Sequence, residues 1–113
     1  MSSVVGEEAN DVLASLDAIS PDFGTYMVEA GFADIYGREG LSLMQRELVN
    51  LAVLATLGGA EPQLAVHIRG ALRVGISRDE IVETFVHLSL YAGHPRTLNA
   101  LRVAREVFEA TPD

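Results

Sequence analysis

Residues Ser42–Val74 read SLMQRELVNLAVLATLGGAEPQLAVHIRGALRV, and the rest of the chain is organised around them. This stretch predicts two apolar helices joined by the small-residue corner LGGA at 57–60, because paired glycines interrupt a helix. The first helix carries Arg46 and Glu47, and the second carries His67. An acid and an imidazole among leucines, valines and alanines need an explanation, since burying an unpartnered polar group is costly.

Local signals on either side of this stretch predict further helices. Ser42–Gln45 and Ser77–Glu80 match the capping box, in which a serine and a residue three positions later satisfy each other's backbone donors. Glycines and prolines mark the other boundaries. The chain contains no alternating, strand-like runs, so we expect an all-α fold, a helical bundle of about five to six helices in one domain spanning 1–113, with 1–6 frayed. The predicted helices cover residues 7–19, 21–36, 43–57, 62–74, 78–92 and 95–109.

Composition excludes several classes of function. The 113 residues carry a formal net charge of −8, which argues against nucleic-acid binding because that rests on Lys and Arg neutralising phosphates. All eight basic residues are arginine, so Schiff-base chemistry on a lysine is excluded. The absence of cysteine excludes disulfides and thiol redox chemistry. With neither a signal peptide nor a membrane span in the sequence, we expect a soluble cytoplasmic protein.

No cofactor is expected from the motifs. The three histidines, His67, His87 and His94, lack the close spacing of an HExxH zinc motif, and no cysteine can assist them. Neither a phosphate-binding GxxxxGK[ST] loop nor a GxGxxG turn is present. We therefore expect no metal and no nucleotide.

The apolar helices predict self-association. The helix over 43–57 is apolar nearly all round, which indicates burial on all sides. The helix over 81–92 is also apolar on too many faces for a bundle of this size to cover. Apolar patches of that extent usually mark interfaces, so we expect an obligate homo-oligomer and no membrane partner.

Glu47 and His67 are the candidate catalytic residues. We expect Glu47 in the first turn of its helix, where the dipole stabilises a carboxylate, at the head of an inward ridge. His67 follows an apolar stripe on the next helix, and a lone histidine there is more often structural than catalytic. Contact across the glycine corner would fix the tautomer of the imidazole and raise its basicity, as acid–base catalysis requires.

Four further residues are candidate substrate-binding groups. His87 and Tyr91 continue a polar ridge from Glu83, which either faces solvent or lines a pocket between the helices over 62–74 and 78–92. His94 lies at a helix junction, where backbone donors of a helix N-terminus can bind an anion, although an ordinary exposed loop is the commoner interpretation. Arg46 is the more attractive carboxylate ligand, because arginine presents a bidentate fork.

Several blocks of the sequence resemble the carboxymuconolactone decarboxylase family of the alkylhydroperoxidase D-like superfamily. The resemblance covers about residues 20–108 and implies an all-helical oligomer, commonly a ring-like hexamer, with a trimer as the alternative. It also implies cofactor-free decarboxylation of a carboxylated lactone in aromatic catabolism. The blocks are LSLMQRELV at 41–49, HIRGAL at 67–72, GISRDEI at 75–81 and YAGHP at 91–95.

The sister branch of this superfamily carries a Cys-x-x-Cys ahead of the shared histidine. The corresponding positions here are Ala60 and Gln63, so a thiol peroxidase is excluded by chemistry. The Glu and His of the shared motif remain as Glu47 and His67. The resemblance implies that His67, oriented by Glu47, protonates or stabilises the carbanion left by decarboxylation.

Two alternatives stay open. The same proton-transfer site could serve an isomerase or cyclase of a secondary metabolite, because a fold does not fix a reaction. The chain could also be a non-catalytic oligomeric binding or scaffold protein, in which Glu47 and His67 only hold the subunit together. Release of CO2 separates the first alternative from a carboxy-lyase, which remains our main hypothesis.

Overall fold

The computed structural model describes residues 7–111, with backbone only for 7–10 and Leu13. The described chain is all-helical, as predicted, and the expectation for residues 1–6 lies outside it. Among the described residues no helix is long and apolar enough to cross a lipid bilayer. The helices are α1 (Glu7–Ile19), α2 (Pro21–Tyr26), a π-helix (Met27–Asp34), α3 (Leu43–Leu57), α4 (Glu61–Arg73), α5 (Arg78–Ala92) and α6 (His94–Ala110).

The boundaries of α3 and α5 follow from their first residues. Ser42 accepts a hydrogen bond from the Gln45 backbone, while the Gln45 side chain accepts one from the Ser42 backbone. Ser77 and Glu80 form the same reciprocal pair at the start of α5. Both capping boxes are therefore confirmed, and each satisfies backbone donors that the helix cannot satisfy internally.

The prediction of one continuous α-helix over 21–36 is wrong. After α2 the backbone widens into the π-helix, in which hydrogen bonds run from residue i to i+5. Gly31 lies within this segment and weakens α-helical geometry because it has no side chain to restrict its backbone. Side-chain periodicity carries no signal for such a widened turn, which is why the sequence predicted an ordinary helix.

The core lies between α3, α4, α5 and α6. α3 contacts the other three of these helices, and α6 packs against α4 and α5. Each large apolar side chain buried here contributes roughly 1.5–3 kcal/mol to stability. The fully buried core side chains include Leu51, Leu64, Ile68, Ile76, Ile81 and Phe85.

One face of α3 remains uncovered, contrary to the prediction of burial on all sides. Val49 and Val53 are each 49% exposed, and Leu57 is 63% exposed. Val86 and Leu90 are likewise exposed on α5. The bundle covers only the side of α3 that faces α4, α5 and α6, so a single chain leaves these apolar surfaces to solvent.

Candidate active site

A buried carboxylate and a partly exposed imidazole form the centre of the candidate site. Glu47 projects from α3 and is completely buried. His67 projects from α4, and its Nδ1 lies 2.7 Å from Glu47 Oε1. The side chain of His67 keeps 17% of its surface exposed. The contact expected across the glycine corner is therefore present, whereas the catalytic role of the two residues remains a prediction.

The glycine corner sets this geometry. Gly58 and Gly59 both have positive φ, at 71° and 72°, so the chain reverses between α3 and α4 within a few residues. Such backbone conformations are open to glycine at little cost. The two helices then lie side by side, and the Glu47 and His67 side chains meet across twenty residues of sequence.

The contact with Glu47 fixes the orientation of the His67 ring. An ionised carboxylate has only acceptors, so with Glu47 in that form the contact requires Nδ1–H of His67 as the donor. The other ring nitrogen, Nε2, is left as the atom that can exchange a proton with a ligand.

Glu47 lies deeper in its helix than predicted. α3 begins at Leu43, so Glu47 is past the first turn, which contains no acidic residue. The dipole effect fades beyond the first turn. The carboxylate therefore depends on His67 as its partner more than on the helix terminus.

Two buried polar atoms near this pair have no hydrogen-bond partner among the described residues: Oε2 of Glu47 and Nε of the adjacent Arg46. Arg46 Nη2 donates to the backbone carbonyl of Arg38 at 3.0 Å. The predicted substrate ligand Arg46 thus lies next to Glu47 with one nitrogen already engaged. Buried polar atoms are usually satisfied, so these two atoms set the site apart from the rest of the core.

Two residues of this region were not predicted to be functional. Asn50 lies one turn after Glu47 on α3, and its side-chain amide donates to the hydroxyl of Tyr36. Burial raises the pKa of Tyr36, as does the charge of Glu47, while the bond from Asn50 and the charge of Arg46 oppose the rise. The one available signal was Asn50 itself, a polar residue in the apolar run of α3.

The other predicted ligands are elsewhere on the surface. His87 and Tyr91 lie beside each other on α5 with ring centroids 6.3 Å apart, and both are exposed. His94 is exposed at the first position of α6. The predicted pocket between α4 and α5 is not where His87 lies. His87 instead lines a groove of about 380 Å³ between α3 and α5, together with Leu48, Ala52, Glu80, Glu83, Thr84 and Leu88.

Comparison with known proteins decides the family. The model of the carboxymuconolactone decarboxylase family matches residues 21–106. The chain is 36% identical over 107 residues to a 4-carboxymuconolactone decarboxylase of Acinetobacter baylyi, covering 94% of this chain and 79% of that protein. The chain belongs to the carboxymuconolactone decarboxylase family.

Two further relatives of the chain carry different names. An uncharacterized 15.0 kDa protein of Paracoccus denitrificans is 32% identical over 97 residues, covering 85% of this chain and 72% of that protein. The nitrosuccinic acid decarboxylase npaB of Metarhizium robertsii is 29% identical over 87 residues, covering 77% and 60%. Two relatives with different named substrates are thus both called decarboxylases, which supports a decarboxylase-like function for this chain.

Proposed function

We propose that the chain is a cofactor-independent carboxy-lyase acting on a small carboxylated lactone or a related enolisable acid. The observation that carries this proposal is the 2.7 Å contact between buried Glu47 and partly exposed His67. Two relatives of the chain are named decarboxylases, which supports decarboxylation as the class of reaction. The site supplies groups suited to moving a proton.

The reaction divides into bond cleavage and protonation. The bond between the substrate carbon and its carboxylate breaks, CO2 leaves, and the electron pair is delocalised onto a neighbouring carbonyl or nitro oxygen. His67 Nε2–H then donates a proton to the carbon, forming the C–H bond, and solvent reprotonates the imidazole. Glu47 stabilises the imidazolium before this transfer, which general acid catalysis requires.

Arg46 is the best supported of the four proposed substrate ligands. Arg46 is next to Glu47 in sequence, and the charges of both residues act on Tyr36. The groove at His87 carries the carboxylates of Glu80 and Glu83, which repel an anionic substrate. Tyr91 and His94 remain proposed ligands that contribute only if a substrate extends beyond the central pair.

We also infer that the protein is a homo-oligomer, a hexamer or trimer, formed by second copies that cover the apolar faces of α3 and α5. The exposed side chains of Val49, Val53 and Leu57 follow one another at helical spacing, as do Val86 and Leu90. Continuous apolar faces of this kind are typical of protein interfaces.

CO2 release tests the proposed function. Purified protein is incubated with 4-carboxymuconolactone and, separately, with nitrosuccinate, and CO2 and remaining substrate are measured. We expect CO2 from at least one acid and a loss of about 100-fold or more in His67→Ala, because a positioned acid contributes about that factor. An exposed acid far from the pair in sequence, changed as Glu106→Gln, serves as the control.

Three results would contradict the proposed carboxy-lyase or the role of His67 in it. Full activity in a folded His67→Ala protein removes His67 from the reaction. Consumption of substrate without CO2 favours an isomerase or cyclase. No reaction at all, together with a large loss of stability in Glu47→Ala, favours a non-catalytic protein, because that change removes the hydrogen-bond partner of His67 Nδ1.

A further inference from the structure

Tyr36 is held against α3 in a way that leaves its hydroxyl proton available. The amide of Asn50 donates to the Tyr36 oxygen, so Asn50 does not use the phenolic O–H. The ring of Tyr36 packs against Phe32 with centroids 5.4 Å apart, which fixes the direction of the side chain. The result is an oriented hydrogen-bond donor at the end of the π-helix.

Tyr36 remains protonated over the neutral range. Burial is the largest effect on its pKa and raises it, and the nearby charge of Glu47 raises it further. The bond from Asn50 and the charge of Arg46 act in the opposite direction without reversing the shift. A neutral phenol beside a carboxylate can donate a hydrogen bond to an oxygen that becomes negative.

Tyr36 and His67 are supported in parallel ways from α3. Glu47 contacts His67 through Nδ1 of the ring, and Asn50 contacts the hydroxyl of Tyr36. Asn50 follows Glu47 by three residues, so the two lie on neighbouring turns of α3. Both supported side chains retain some exposure, whereas Glu47 has none. The arrangement therefore holds two side chains that can donate, each supported by a polar residue of α3.

The cluster also has unused hydrogen-bonding capacity. Glu47 Oε2 and Arg46 Nε are buried without a partner among the described residues. A fully buried carboxylate oxygen with no donor is uncommon in a core that serves only for stability. Unsatisfied buried atoms of this kind favour a functional over a purely structural role for the cluster.

We propose that Tyr36 is a catalytic residue of this site, donating its O–H to the substrate oxygen that becomes negative as CO2 leaves. This rests on the proposed carboxy-lyase function. The C–C bond breaks, its electron pair reaches that oxygen, and Tyr36 stabilises the charge without giving up its proton. His67 Nε2–H then protonates carbon. Asn50 is a positioning residue that orients Tyr36.

Kinetics with matched tyrosine variants test this role. Tyr36→Phe and Asn50→Asp are assayed with 4-carboxymuconolactone and nitrosuccinate, and Tyr26→Phe, the same change at an exposed tyrosine, is the control. We expect Tyr36→Phe to lower kcat about 100-fold or more with little change in KM, as for loss of an oxyanion donor. Asn50→Asp offers Tyr36 an acceptor and diverts its proton, so kcat falls there too. This second variant decides the question if Tyr36→Phe does not fold.

Binding of a stable anion provides a readout that needs no turnover. The nitronate of 3-nitropropanoate is the anion left when nitrosuccinate loses CO2, and its binding is measured by calorimetry. We expect Tyr36→Phe to weaken it roughly tenfold or more, the effect of losing a hydrogen bond to a charged group. The Tyr26→Phe protein should bind it as the unaltered chain does.

The outcomes separate the two proposals. If the unaltered chain releases CO2 and folded Tyr36→Phe keeps its kcat, the role of Tyr36 is overturned and the carboxy-lyase stands. If the unaltered chain releases no CO2 from either acid, carboxy-lyase activity is overturned for both acids. Binding of the nitronate then tests, without turnover, whether Tyr36 stabilises an anion. Weaker binding by Tyr36→Phe supports an anion-stabilising tyrosine, whereas equal binding, or none by either protein, overturns it.

Discussion

At the scale of single residues, Glu47 depends on one hydrogen bond. Its carboxylate is fully buried, and among the described residues only Oε1 has a partner, His67 Nδ1. Removing a charge from water is expensive unless a partner compensates it. A side chain that only filled space here could be apolar, so the buried carboxyl group paired with an imidazole is what motivates the proposal that the two residues move a proton.

Glu47→Gln tests the charge separately from the shape. The amide oxygen can still accept from His67, but it no longer stabilises the imidazolium. We expect kcat for CO2 release to fall about 100-fold, in line with loss of a tuned acid–base group, while circular dichroism and the unfolding midpoint stay close to those of the unaltered chain. Unchanged kcat would assign Glu47 a structural role alone.

At the scale of helices and turns, the corner between α3 and α4 is the most constrained feature. Gly58 has φ 71° and ψ 156°, a combination that is essentially restricted to glycine. A Cβ placed there would approach Arg96 Nε to 3.1 Å. The corner aligns the helix that carries Glu47 with the helix that carries His67.

Gly58→Ala should therefore destabilise the protein by about 1–3 kcal/mol, the usual cost of a strained backbone conformation. Urea unfolding gives the value, and CO2 release should fall as the two helices shift. Gly40→Ala is the matched control, because Gly40 has no positive φ and nothing lies within 4 Å of an added Cβ. Equal stability of the two variants would contradict a strained corner.

The capping box of α5 carries an acid-dependent contribution to stability. Hydrogen bonds from the backbone and then the side chain of Ser77 lower the pKa of Glu80 below its ordinary value of 4.5. The pKa of Glu80 is lower in the folded state than in the unfolded state. Its contribution to stability is therefore fully present above the unfolded-state pKa. It disappears as the pH falls through the folded-state pKa.

Glu80→Gln should consequently lose less stability than the unaltered chain when the pH is lowered from neutral into this acidic range. Urea midpoints at several pH values measure the difference. Gln45 has the same position in the uncharged capping box of α3. Gln45→Glu should add acid sensitivity, and a variant without it would argue against the capping carboxylate as the cause.

Local signals predicted the helices better than they predicted the site. Capping serines, glycines and periodic apolar residues act within a few positions, so the boundaries of α3 and α5 could be derived from sequence. The contact of Tyr36 with Asn50 spans fourteen residues and depends on the π-helix, which side-chain spacing does not encode. Glu47 and His67 were paired correctly because a short glycine corner leaves two neighbouring helices little choice.

At the scale of the whole molecule, exposed apolar surface coexists with a net charge of −8. The charge keeps copies apart unless a specific surface overcomes the repulsion. The proposed oligomer uses the apolar faces of α3 and α5 as that surface. Self-association through these faces would bring about the burial of α3 that its sequence predicted.

Val53→Glu should weaken the oligomer, since it places a charge in the middle of the exposed face of α3. Size-exclusion chromatography with light scattering should then find smaller species than for the unaltered chain. Gln63→Glu, at an exposed polar position on α4, adds the same charge away from that face and is the control. A stable monomer of the unaltered chain at micromolar concentration would overturn the proposed assembly.

The half-buried position of Tyr36 also makes it a spectroscopic probe. The sequence contains no tryptophan and three tyrosines, and Tyr26 and Tyr91 are exposed. A protein carrying Tyr26→Phe and Tyr91→Phe therefore has Tyr36 as its single tyrosine, hydrogen-bonded to Asn50 near the buried carboxyl group. Its emission intensity and lifetime can report ligand arrival in real time, with no label attached to the chain.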